Sequence, residues 1–444
     1  MLPADVSQLP RGYDILGANS SGARDQSMTS EIAVMNQRAV ALAADSAVTL
    51  IDGGTVVVRN DQRKLYNLIG GHPVGVMFFG VADMMGHPWE HLIEHYQKKA
   101  KSGALPHIRD YAGGFVGMLD NLEEFFPKER QRDEYKRLLA SVFRYIFHLA
   151  QYLRESGGVE RQSISDTTIL EEAIERVWRD YQFREDGSAR GNLSCFPQGF
   201  AETVRRNYAG EIDELIAYGF QPFGLAKQAV AHLKEIAVFA VVKDLFLEDV
   251  TGLVFAGFGA EERYPVVTTY FVSAIVGGIV KRAEASFDAI DGDTRSKIRV
   301  FADSEVTNAF IRGIDFNLER RVYGALNSLM YGLVDQVIGA FPNADPATRE
   351  EVRRQFQSNY IPQYFDAFRG IIGDYQQHAY INPVLRVLEI ASRNELAETA
   401  RELVSLNVFK KRIMAQKQTV GGAIDVAIIS REGGFQWHSR QGGG

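Results

Sequence analysis

The chain is poor in cysteine, in long apolar runs and in clustered basic charge. A single cysteine, Cys195, among 444 residues excludes an internal disulfide and makes a reducing compartment the default expectation. With no His or Asn partner motif near it, Cys195 gives little ground for thiol chemistry. No apolar run is long enough to cross a bilayer. The nearest, "EIAVFAVVKDLFLEDVTGLVFAGFG", is interrupted by Lys243, Asp244 and Glu248. The N-terminal stretch lacks the basic start, apolar centre and small-residue cleavage site of a secretory signal. These absences predict a soluble, cytoplasmic chain with no membrane association. Net charge is -7 with no basic stripe, so no nucleic-acid partner is expected. No Walker-type lysine motif occurs, and any ATP-driven step would need a partner ATPase or adaptor.

What is present is ordinary globular composition, 45% hydrophobic and 24% charged. Residues 1–28, polar and turn-rich up to "GANSSGARDQS", read as a leader or propeptide. From Thr29 the pattern turns to period two. "SEIAVM" and "RAVALAADS" predict strands joined by "NQR", a hairpin-length link. "TVVVRN" and "VGVMFFG" predict two more. "ADMMGHPWEHLIEHYQKKA" turns helical, and nearly every segment from about 105 to 245 follows suit. The clearest is "SDTTILEEAIERVWRDYQ", with Leu170, Ala173, Ile174, Val177, Trp178 and Tyr181 on one face behind a Ser/Asp/Thr start. Strands return at "TGLVFAGFG", "YPVVTTYFVSAIVGGIV" and "KIRVFAD". A second helical block covers about 304 to 410, and "AIDVAIIS" and "FQWHS" close the chain around the turn "REGG". The order predicts one α+β body carrying helical insertions.

Chemistry concentrates at "MTSEIAVMNQRAVALAADSAVTL", from Met28 to Leu50. A threonine hydroxyl needs a base within hydrogen-bond reach. A free α-amine on the same residue, with an ordinary pKa of about 7.7–8.0, can serve. Cleavage of the leader, or a start at Met28 followed by methionine removal, would expose that amine on Thr29. A nearby fixed cation favours its neutral form. A buried lysine needs a carboxylate to stay charged, and Lys64 with Asp45 could form that pair. Taken singly, Asp45 reads as a turn residue and Lys64 as a surface charge.

The spacing of Thr29, Asp45 and Lys64 resembles the proteasome β subunits and the bacterial HslV peptidase, the threonine branch of the N-terminal nucleophile (Ntn) hydrolases. "TSEIAVMNQRAVALAAD" matches the family's opening hairpin without a gap. "RKLYNL" looks like the strand that carries its lysine. "FFGVADMM" is similar to its Gly-x-x-Ala-Asp turn, one residue shorter. "VTGLVFAGFGAEERYPVVTTYFV" and "TVGGAIDVAIISREGGFQW" resemble later strands, and "VFADSEV" the segment with a supporting serine. Two positions depart: the family's closing aspartate and serine fall on Lys417 and Val420.

The resemblance implies a four-layer αββα sandwich of two antiparallel sheets flanked by helices. It implies a single Ntn domain over 29–444, with helical insertions at about 105–245 and 310–390. It further implies a threonine-type endopeptidase or amidohydrolase with catalytic Thr29, Asp45, Lys64, Gly80 and Ser304, without metal or organic cofactor. Peptide or protein substrate and a homo-oligomeric, ring-like assembly are implied as partners.

Two alternatives stand beside this reading. One is a catalytically inactive proteasome-like assembly protein. The other is a zinc peptidase using His91, Glu94 and His95, which fit H-x-x-E-H. "GFGAEE" lacks the third glycine and following helix of a phosphate-binding turn.

Overall fold

A computed structural model describes residues 30–440 apart from 53–54, 60–61, 101–102, 121, 157–162, 185–186, 248–249, 303–304 and 415–421. The strands are β1 Ser30–Asn36, β2 Ala39–Asp45, β3 Val48–Asp52, β4 Thr55–Arg59, β5 Leu65–Asn67, β6 Val74–Gly80, β7 Asp83–Met84 and β8 His87–Pro88. Further on come β9 Thr251–Gly257, β10 Val266–Val276, β11 Ile279–Ala289, β12 Ser296–Ala302, β13 Ile424–Ser430 and β14 Gly434–Ser439. Two five-stranded antiparallel sheets result, β12-β1-β2-β13-β14 and β11-β10-β9-β6-β5. The fold is mixed α+β.

Alternation along each strand sends one set of side chains inward and the other outward. Ala33, Met35, Leu42, Ala44, Ala427 and Ile429 of the first sheet share one core with Leu65, Met77, Phe79, Val254 and Ala256 of the second. The sheets meet closely at Gly75, where an added Cβ would lie 2.7 Å from Ile429 Cδ1. On the first sheet's outer face, Ile32, Val34, Ala41, Ala43 and Val426 pack under Leu396, Ala400, Leu403, Val404 and Val408. Those residues follow helical spacing on Arg393–Met414. A capping box starts that helix: Ser392 N–H donates to Glu395 Oε2 at 2.7 Å and Glu395 N–H to Ser392 Oγ at 3.3 Å. Helices Trp89–Lys99 and Ile108–Leu119 cover the second sheet's outer face through Trp89, Leu92, Tyr111 and Phe115.

The first helical block enters between the paired strands β6 and β9, and the second between β12 and β13, which lie in one sheet with β1 and β2 between them. Helices of the first block, Lys128–Ser156 through Lys227–Val242, continue the core between the sheets. Part of the second block closes over very little, because Val334, Ile338 and Ile361 alone form its separate buried cluster.

The strand expectations hold with two refinements. "TVVVRN" folds back on β3 as a hairpin. "YPVVTTYFVSAIVGGIV" is two strands, because Gly277 and Gly278 adopt φ +60° and +81° and turn β10 into β11. Alternation on β11 is blurred by half-buried residues, which hid it. The proposed leader lies outside the described residues.

Lys281 on β11 is fully buried and donates to Ala240 O at 2.7 Å and Leu245 O at 2.6 Å, closing the end of helix Lys227–Val242. Burial pulls its pKa from 10.5 to about 7. Between those values the unfolded chain holds a proton that the folded chain has released. Stability therefore rises with pH across that window, by up to about 1.4 kcal/mol per unit. Denaturant unfolding from pH 7 to 10 should show this slope, and Lys281→Met should flatten it.

Gly252 lies under Phe79, and a Cβ there would come 2.0 Å from the ring. Gly252→Ala should cost about 1–3 kcal/mol by overpacking, read as a lower unfolding midpoint.

Candidate functional site

A two-residue loop sets the register of the first hairpin. Asn36 Oδ1 accepts the N–H groups of Arg38 and Ala39 at 2.9 and 3.3 Å, while its Nδ2 donates to Leu388 O and Ala391 O. Pairing then runs Met35 with Val40, Ala33 with Leu42 and Glu31 with Ala44. Ser30 consequently meets Asp45, and its N–H donates to Asp45 Oδ1 at 3.1 Å. The β3–β4 hairpin is an excursion that returns to the same place. Gln62 N–H donates to Ser46 O at 3.2 Å, setting Lys64 down beside Asp45.

Lys64 Nζ donates to Asp45 Oδ1 at 2.8 Å and to Glu31 Oε1 at 3.1 Å. All three side chains are at most 1% exposed. Burial pulls the lysine pKa down, but the charges and hydrogen bonds of Asp45 and Glu31 outweigh it and hold Lys64 above its ordinary 10.5. Lys64 is therefore a charged ammonium at neutral pH. Its contribution to stability is complete below pH 10.5 and is lost as pH climbs through the higher folded value.

Gly80 ends β6, and the Lys64 carbonyl accepts from Phe78 N–H, two residues earlier. Its φ of +85° suits glycine, and an added Cβ would lie 2.3 Å from Val250 O. Phe79 stacks on Phe301 at 5.7 Å, and Phe301 pairs with Glu31. The next residue, Ala302, pairs with Ser30 and carries φ +54°, a left-handed conformation that costs an alanine about 1–2 kcal/mol. Strain of this kind clusters at functional sites.

Of the residues expected to act, Asp45 and Lys64 are in contact and Gly80 ends the neighbouring strand of the facing sheet. Thr29 and Ser304 lie outside the described residues, as do Lys417 and Val420. Ser30 and Ala302, near each of the first two in sequence, are partners across β1 and β12.

Two buried members of the cluster escaped the sequence reading. Glu31 occupies the inward row with Ala33 and Met35, and a carboxylate in an apolar row was its signal. Asn407 sits in the apolar stripe of Arg393–Met414 beside Val404 and Val408. Its Nδ2 donates to Ser30 Oγ at 2.7 Å, and its Oδ1 accepts from Thr307 N–H at 3.2 Å.

The competing motifs gain little. His91 is exposed, and His95 packs edge-on against Phe125 at 5.0 Å, 3.6 Å from Glu124. Among the described residues no group of three or more His, Cys, Asp or Glu is placed to hold a metal ion. Gly259 N–H donates to Glu262 Oε2, which also accepts from Ile108 N–H and so caps a helix. Burial pushes the Cys195 thiol up, away from thiolate character. Among the described residues no helix is long and apolar enough to cross a membrane. No protein-family model matches the chain, and no curated protein matches it.

Removing the cation leaves two carboxylates buried together. Lys64→Met should cost about 3–5 kcal/mol, and adding Glu31→Gln with Asp45→Asn should recover more than half of that. Urea unfolding of the single and triple variants measures both.

Proposed function

We propose that the chain is an N-terminal threonine hydrolase of the Ntn type, similar to proteasome β subunits and HslV, that cleaves peptide or related amide bonds. The observation that carries this reading is the buried Lys64 ammonium between Asp45 and Glu31, which shares the acceptor Asp45 Oδ1 with the N–H of Ser30, the residue after Thr29. Buried ion clusters of this kind are seldom needed for stability, and perturbed charges beside a strained strand end are a mark of active sites. Asp45 Oδ2 has no hydrogen-bond partner among the described residues, although it is buried. In this reading it accepts from the α-amine of Thr29.

In this mechanism the Thr29 hydroxyl oxygen attacks the substrate carbonyl carbon, and its proton passes to the Thr29 α-amine. The Lys64 charge disfavours protonation of that amine and keeps it basic but neutral. The oxyanion of the tetrahedral intermediate is received by the Gly80 N–H. As the C–N bond breaks, the amine returns the proton to the leaving nitrogen, and an ester remains on Thr29. Water then attacks the ester, giving up a proton through the same amine and restoring the hydroxyl. Ser304 supports the amine, and the chain's own residues supply each step.

Intact mass and N-terminal sequencing should find Thr29 as the first residue of the mature chain. A β-lactone or epoxyketone probe should label it. Lys64→Met and Asp45→Asn should lower the labelling rate at least about a hundredfold, as loss of a positioned catalytic group does. A processed, folded chain that never takes the probe would leave only an assembly protein.

A further inference from the structure

The second helical block exposes apolar surface that the rest of the chain buries. Sixteen of the large hydrophobic residues exposed on the described surface lie between Phe310 and Ile390. They are most ordered on the helix Phe316–Gly339, 24 residues and about 36 Å long. Leu318, Val322, Ala325, Leu329 and Leu333 are all exposed, at spacings of 4, 3, 4 and 4. That spacing draws one stripe along a helix. Val334 and Ile338, on the opposite side, already pack against Ile361. The helix therefore has two apolar faces, of which one is covered.

We propose that the open stripe pairs with the same stripe of a second copy of this chain, antiparallel about a two-fold axis near Ser328. Three observations select this occupant. Leu329 and Leu333 are 70% and 61% exposed, and Tyr364 and Phe341 on the same block 63% and 64%. At about 200 Å² for a whole aromatic side chain, the stripe with the neighbouring Tyr360 and Tyr364 presents on the order of 500–800 Å², close to the roughly 800 Å² per partner of a standard interface. An apolar groove of about 170 Å³, lined by Leu333, Val337, Phe356, Tyr360 and Tyr364, runs beside the stripe and extends it.

The second observation is charge. Residues 305–390 hold eight arginines and ten carboxylates, and Arg312–Glu319, Arg353–Asp335 and Arg354–Glu351 pair within the block. A block with no cationic surplus suits neither an anionic lipid surface nor nucleic acid, and near balance matches a partner of its own kind. The third is register. Arg321 and Asp335 flank the stripe on the same side, and antiparallel pairing about Ser328 brings Arg321 of one copy beside Asp335 of the other. The helix dipoles then oppose, which is favourable. An isologous contact of this type closes on itself.

This inference does not depend on the proposed activity. Sedimentation equilibrium of the full chain, 49.6 kDa as a monomer, should give twice that mass at micromolar concentration. Leu329→Arg with Leu333→Arg should weaken association at least a hundredfold while leaving the circular dichroism spectrum unchanged, and should remove the concentration dependence of the unfolding midpoint. Both positions are exposed, so the fold should survive the change. Arg321→Glu should weaken the dimer, and adding Asp335→Arg should restore it. With Cys195 replaced by serine, Leu329→Cys should form a disulfide dimer on oxidation, and Tyr218→Cys, on the first helical block, should not. A chain that stays monomeric throughout overturns the proposal. So does an association untouched by the Leu329/Leu333 change, or co-sedimentation with phosphatidylserine vesicles in place of self-association.

Discussion

One ammonium held between two carboxylates, away from water, constrains this end of the molecule. Glu31 lies on β1, Asp45 ends β2 and Lys64 directly precedes β5 of the facing sheet, so the contact forms only when both sheets and their connecting hairpin are in register. Desolvating a charge costs several kcal/mol even after relaxation, and only close, hydrogen-bonded partners offset it. The cluster is thus a demanding feature for a chain that packs alanine, valine and isoleucine everywhere around it. Apolar side chains of similar volume would fill the space at less cost. A fixed positive charge beside the start of β1 is what they would not provide.

The strands around the cluster show where the backbone yields. Gly80 and Ala302 both take positive φ, one at the end of β6 and the other at the end of β12. Between them Phe79 stacks on Phe301, holding the two strand ends together. Asn407 adds a third element. It bonds the Ser30 hydroxyl on one side and the first turn of helix Glu305–Arg312 on the other. The second helical block is therefore anchored within one side chain of the first strand, although its far part contributes little to the core. The first block differs, since its helices extend the core between the sheets.

Most of the sheet was legible in the sequence because alternation and turn residues act locally. Ser30–Asn36, Ala39–Asp45, Val74–Gly80 and Ile424–Ser430 read correctly because each is a short apolar run bounded by turn residues and buried on both faces. β11 did not, because its half-buried residues follow no clean period and it continues directly from β10. Of the site, Asp45 with Lys64 was legible through the resemblance of their spacing to that of the Ntn hydrolases. The partners of Glu31 and Asn407 became visible only in three dimensions, since each is met through register and helix phase over long sequence separations. The extent of the apolar stripe on Phe316–Gly339 was hidden for another reason: periodicity cannot tell a covered face from an open one.

The most direct test of the central claim is a titration of the Lys64 side chain, followed by heteronuclear NMR with selectively labelled lysine. If Asp45 and Glu31 outweigh burial, the Lys64 ammonium stays protonated beyond pH 10.5, the ordinary value for the group. A Lys64 resonance that loses its proton below that pH would contradict the account, because the first strand would then lie beside a neutral amine.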